Sequence, residues 1–176
     1  MEALDSYRTL ARYNTWFNAR LYVAAASLSD EQRRRDLGAF FGSVHRTLSH
    51  VILADHVWMQ RFDSSLAAAV PRDAGGAVLK PASLDAVLYD DFDLLRERRQ
   101  QLDAGVEQWI AALQPADLDR DLAYKTTTGL PQRHPLWWAL THLFNHQTHH
   151  RGQLTTLLFQ LGCDPGVTDL LAMLRD

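Results

Sequence analysis

The chain has 176 residues, 47% of them hydrophobic and 22% charged, with 18 basic against 21 acidic side chains and a formal net charge of -3. That length suits one domain with a real core and not comfortably two, so residues 1–176 are expected to form a single domain, and the composition excludes a fibrous repeat or a long disordered chain. The slight acidity removes the global basic field that nucleic acid or an anionic membrane would need, and the lone cysteine, Cys163, has no internal disulfide partner.

The opening MEALDSYRTLARYN lacks the apolar core of a secretory signal, and no apolar run reaches the roughly 18 residues of a bilayer span. The expected location is cytoplasmic, with no membrane and no nucleic acid as partner. From Leu4 to Leu28, apolar residues at three- and four-residue spacings predict a first long helix. Ser29 with Gln32 reads as a capping box for a short connecting turn of helix that ends before Gly38. Val44, Leu48, Val51, Ile52, Val57, Trp58 and Phe62 predict a second long helix from Ser43 to Phe62.

Asp63 to Pro81, with Pro71, Gly75 and Gly76, reads as a long surface loop that covers a site. Ser83 is the expected N-cap of a third helix reaching Leu113, with the RERRQQ run at residues 96–101 as its solvated face. Leu122 to Pro135, with YKTTT, Gly129 and two prolines, predicts extended structure or a hairpin. A fourth long helix begins near Pro135 and ends at Leu161, where Gly162 is the natural cap, and a short terminal helix starts at Thr168 or Asp169. Four amphipathic helices joined by loops predict an all-α fold, a four-helix bundle with short accessory helices.

The main chemical signal is histidine clustering: four of the eight histidines, His142, His146, His149 and His150, fall within nine residues of the fourth helix. At about 100° per residue, with His142 at zero, His146 falls near 40°, His149 near 340°, His150 near 80° and Gln153 near 20°, all on one face. Two histidines four apart on a helix aim ring nitrogens at one point, the geometry a divalent metal requires, and both His142/His146 and His146/His150 have that spacing. A third ligand has to come from another element. His50, set mid-helix in LSHVILAD, is the best candidate, since an unpaired imidazole there would be costly to bury. The competing reading is a hydrogen-bonded polar cluster without metal.

The segment YNTWFNARL, then LSHVILADHVWM, and about ninety residues later THLFNHQTHHRGQ with the late PGVTDLL, together resemble the DinB/YfiT family over nearly the whole chain. The resemblance implies an up-down-down-up four-helix bundle in which three histidines, here His50, His146 and His150, bind a divalent metal, zinc or nickel. Beside them, Arg151 is expected to pair with a carboxylate or meet a substrate anion, Gly152 to allow close approach of another helix, and Asn145 to hydrogen-bond nearby. Cys163 reads as a small packing residue.

Three neutral ligands leave the metal its full charge and an open position, which suits activation of a nucleophile. With relatives that move low-molecular-weight thiols, the resemblance implies a metal-dependent thiol transferase or detoxifying enzyme acting on a small molecule, with His149 or His142 as proton acceptor. The alternatives are a hydrolase that activates water at the same site and a non-enzymatic, stress-associated helical dimer with a structural metal. Five tryptophans are many for one small core, so a homodimer is expected. The walls of the pocket are expected from the first helix, the 63–81 loop and the 124–134 segment.

Overall fold

The structure is a computed structural model and describes residues 3–175. In chain order it comprises α1 (Ala3–Ala26), the one-turn α2 (Asp30–Arg34), α3 (Val44–Phe62), α4 (Phe92–Ala112), strands β1 (Asp121–Lys125) and β2 (Pro131–Pro135), α5 (Leu136–Gln160) and the short α6 (Leu170–Met173). α1 packs against α4 and α5, and α3 packs against the same two helices. Their facing stripes, among them Leu21, Leu48, Ile52, Leu95, Leu102, Leu140 and Leu158, are almost sealed from water, each such side chain contributing about 1.5–3 kcal/mol of burial. The mostly helical class is the expected one. Among the described residues, no helix is long and apolar enough to cross a membrane.

Local chemistry accounts for several boundaries. Ser29 Oγ accepts from the Gln32 backbone N–H at 3.1 Å while Gln32 Oε1 accepts from the Ser29 N–H at 2.8 Å, the reciprocal pair the sequence predicts. Ser43 Oγ caps α3 by accepting from the Arg46 N–H at 3.2 Å. β1 and β2 pair antiparallel from Asp121 opposite Pro135 to Lys125 opposite Pro131. Gly129 turns between them at φ +85°, a conformation a side chain disfavours.

The third long helix starts later than Ser83. It begins at Phe92, capped by Asp91, whose carboxylate accepts from the Leu94 N–H at 2.7 Å. The apolar spacing of Leu84, Val87 and Leu88 imitates a helix, yet Leu84 and Val87 remain more than a third exposed. The backbone explains why: the Leu84 carbonyl accepts from His50 Nδ1 at 2.8 Å and the Tyr89 carbonyl from His45 Nε2 at 3.0 Å. A helix would have used those carbonyls within itself, so two rings of α3 hold residues 84–89 in an irregular path.

The RERRQQ run is also not wholly solvated. Arg99 is 2% exposed and donates to Asp55 Oδ2 and to Asp103 Oδ1, each at 2.6 Å. Asn14 and Asn18 of α1 donate to Asp103 at 3.1 Å, Gln147 of α5 donates to Asp55, and Arg151 Nη1 donates to Asn14 Oδ1 at 2.8 Å. One polar network therefore ties all four long helices together. Its two aspartates and two arginines balance in charge, which is the condition for keeping such groups out of water.

His56 is buried beside this network, and its Nδ1 donates to the Ala69 carbonyl at 3.1 Å. Burial, reinforced by the Arg99 charge, pushes its pKa down to about 4. The unfolded chain, with an ordinary histidine, takes up the proton first on acidification, so this residue lowers stability as the pH falls from about 6.5 towards 4. Between pH 7 and pH 5, urea denaturation should show His56→Gln losing about 2 kcal/mol less than the unsubstituted protein. Equal losses in the two proteins would refute that assignment.

Candidate metal centre

α3 delivers His50 and α5 delivers His146 and His150 to one place. His146 Nε2 lies 3.3 Å from His50 Nε2 and 3.0 Å from His150 Nε2, and all three nitrogens fall within 4.8 Å of one another. Ligands 2.0–2.1 Å from a tetrahedral ion sit about 3.4 Å apart, so the spacing fits a bound divalent cation. His50 and His150 are buried and His146 is half-buried.

The far side of each ring decides its tautomer. His50 Nδ1–H donates to the Leu84 carbonyl, an acceptor only, and His150 Nδ1–H donates to Gln153 Oε1 at 2.7 Å. Both rings therefore turn a bare Nε2 lone pair toward the third, His146, whose own Nδ1 has no partner. A proton on His146 Nε2 sits well with only one of the two lone pairs it faces, whereas a cation satisfies all three nitrogens. Burial and the surrounding histidines push the His146 pKa down to about 3, and burial lowers that of His150 as well, so both are neutral, ligand-ready imidazoles at ordinary pH. The Phe41 ring stacks on His50 with centroids 4.0 Å apart, packing one face of the site.

Of the two possible pairs on α5, the structure brings together His146 and His150. His142 is exposed, its ring 6.0 Å from that of His146 and 5.0 Å from that of Trp58, and His149 is exposed with its ring edge-on to His150 at 4.7 Å. Both proton-acceptor candidates thus border the triad and remain open to solvent. Asp55 is absent from the cluster, being engaged by Arg99 and Gln147. Arg151 pairs with the Asn14 amide instead of a carboxylate, its guanidinium set 4.9 Å and 4.8 Å from the ring centroids of Tyr13 and Phe17. A Cβ at Gly152 would meet nothing within 4 Å, so close helix approach does not explain that glycine. Asn145 is exposed, and Cys163 packs half-buried with its thiol donating to the Ala24 carbonyl at 3.1 Å.

The supporting contacts were harder to foresee than the ligands. In the 63–81 loop, expected to wall the site, Ala69 holds His56, while Leu84 from beyond the loop reaches His50. A main-chain carbonyl leaves no mark in a sequence. Gln153 did leave one, sharing the histidine face in the angular projection. Gln153→Ala should weaken zinc binding about 10- to 100-fold, read by competition with a chromophoric chelator, because the His150 ring loses the acceptor that fixes it. Unchanged affinity would show that the hydrogen bond orients nothing.

The comparisons with known proteins agree with this architecture. The model of the DinB family matches residues 2–175. Protein DinB of Bacillus subtilis (strain 168) is 26% identical over 164 residues, covering 91% of this chain and 88% of that protein. In fold, a DinB-like protein from Bacillus cereus ATCC 10987, known from a crystal structure at 2.01 Å resolution, matches with a TM-score of 0.59 at 22% identity, over 87% of this chain and 91% of that one. The family match runs through both histidine-bearing helices and the paired asparagines of α1, and on that evidence this chain belongs to the DinB family.

Proposed function

We propose that this protein is a divalent-metal-dependent enzyme that activates a low-molecular-weight thiol for transfer to an electrophilic small molecule, with zinc or nickel held by His50, His146 and His150. The observation that carries this reading is the convergence of three imidazole lone pairs with no carboxylate among them. When bound in such a neutral set, the cation keeps its full charge and acidifies a thiol or a water that reaches its open position.

The chain's own residues supply the remainder. His142, its pKa lowered by partial desolvation and by the Arg61 charge, offers a base for the released proton, and His149, edge-on to His150, offers another. Phe41 packs against His50 and shields that side of the site from water. Trp137 and Trp138, 42% and 53% exposed, give apolar surface for the contact of a homodimer.

Conjugation of a panel of thiols to a model aryl halide, run beside hydrolysis of a panel of activated esters, tests the reading. Zinc- or nickel-loaded protein should accelerate the first and not the second, and His50→Ala should return conjugation to the uncatalysed rate. Acceleration of ester hydrolysis alone would make the protein a hydrolase. Equal conjugation by the variant would end the metal-enzyme reading.

A further inference from the structure

Outward from the triad, a row of rings crosses four elements. His142 of α5 touches the Trp58 ring of α3 at 5.0 Å, Trp58 meets Tyr124 of β1 edge-on at 5.4 Å, and Tyr124 meets His134 of β2 at 5.5 Å, with the phenol oxygen 3.2 Å from His134 Nε2. Arg61, one turn after Trp58 on α3, lays its guanidinium against this row, 4.6 Å from the Trp58 centroid and 4.5 Å from that of Tyr124.

The charge of Arg61 is left without a counterion. Among the described residues no carboxylate lies within 4.0 Å of it, and its one hydrogen bond is a long one, from Nη2 to the Lys125 carbonyl at 3.4 Å. Nε and Nη1 have no hydrogen-bond partner among those residues. Arg99, by contrast, set between helices α3 and α4, holds two carboxylates at 2.6 Å. Ring faces partly desolvate Arg61, lowering its pKa, and strip away water that would otherwise screen the charge. The Trp58 ring on which it rests also meets His142, so the cation stands at the border of the histidine cluster.

We propose that Arg61, on the faces of Trp58 and Tyr124, is the carboxylate-binding group of the site that borders the histidine triad, so that the substrate is a small molecule carrying a carboxylate as well as its reacting atom. A planar fork with a free edge matches a carboxylate in both shape and charge. A phosphate dianion would leave one charge uncompensated against a single guanidinium. The aromatic rings exclude water from the ion pair and give it more strength than an exposed one would have. The thiol identity of the reacting atom rests on the function proposed above, whereas the carboxylate preference rests on Arg61 alone.

Isothermal calorimetry on the zinc-loaded protein and on Arg61→Gln separates the two. The probes are 3-mercaptopropionate, its methyl ester and propionate, and matching thermal melts establish that the variant is folded. The expected result is that the acid thiol binds the unsubstituted protein at least tenfold more tightly than its ester, that Arg61→Gln brings the two within about twofold, and that ester affinity is unaffected. Propionate binding that depends on Arg61, with no additional affinity from the thiol, would support the carboxylate site while removing the thiol reading. Acid and ester thiols binding equally to the unsubstituted protein would overturn the carboxylate site and leave the thiol reading standing. No Arg61-dependent binding of any probe would overturn the site outright.

Discussion

His146→Ala protein, purified without an affinity tag and reconstituted with zinc, should carry essentially no metal after desalting, while the unsubstituted protein carries close to one ion per chain. His146 is the decisive position because its Nε2 faces both partners, at 3.3 Å and 3.0 Å. Without it, the two remaining nitrogens come from different helices and lose the i, i+4 pair that pre-sets the geometry. A structural zinc site contributes about 10–16 kcal/mol of binding free energy at neutral pH, so loss of a central ligand is a large effect. His50→Ala should behave similarly, with elemental analysis as the readout. Full metal content in both variants would place the ion elsewhere, and no metal in any of the proteins would leave the triad a polar cluster.

The second large effect concerns folding. Arg99→Met should destabilise the protein by about 3–5 kcal/mol, because it leaves Asp55 and Asp103 buried as like charges without their cation. For a chain of this size that is a fall in melting temperature of roughly 10 °C. Replacing Arg99 and Arg151 together with both aspartates by apolar residues should recover part of the loss, since the cost comes from the uncompensated charge and not from a missing attraction. Calorimetric melts of the single and quadruple variants check this. A single variant that melts within a degree or two of the parent would mean that water reaches the network and solvates the carboxylates.

The residues that meet at the triad were readable because two different patterns coincide there. The i, i+4 spacing of His146 and His150 is a property of helix geometry alone, and His50 stands out as a polar ring in an otherwise apolar stripe. Periodicity left two pairs open on α5, and the resemblance singled out the pair that the structure brings together. Arg99 was obscured by its neighbours: in RERRQQ it looks like one of several solvated charges, although it follows Leu95 by four residues and precedes Leu102 by three, on the buried stripe of its own helix. That spacing was the available signal. The late start of α4 had none of equal strength, because what stops a helix over residues 83–91 is competition for carbonyls from rings on a different element. Such competition is tertiary, and local propensity does not contain it.

The hold on His50 by the Leu84 carbonyl sets an unusual pattern of mutational tolerance. Any residue at position 84 presents the same carbonyl oxygen, so its side chain is free to drift among relatives without disturbing the ring that depends on it. A one-residue deletion in the same stretch would shift that oxygen by a full Cα step of about 3.8 Å and remove it from reach. The segment therefore constrains its length and not its spelling, and aligned sequences would record that constraint in the placement of gaps.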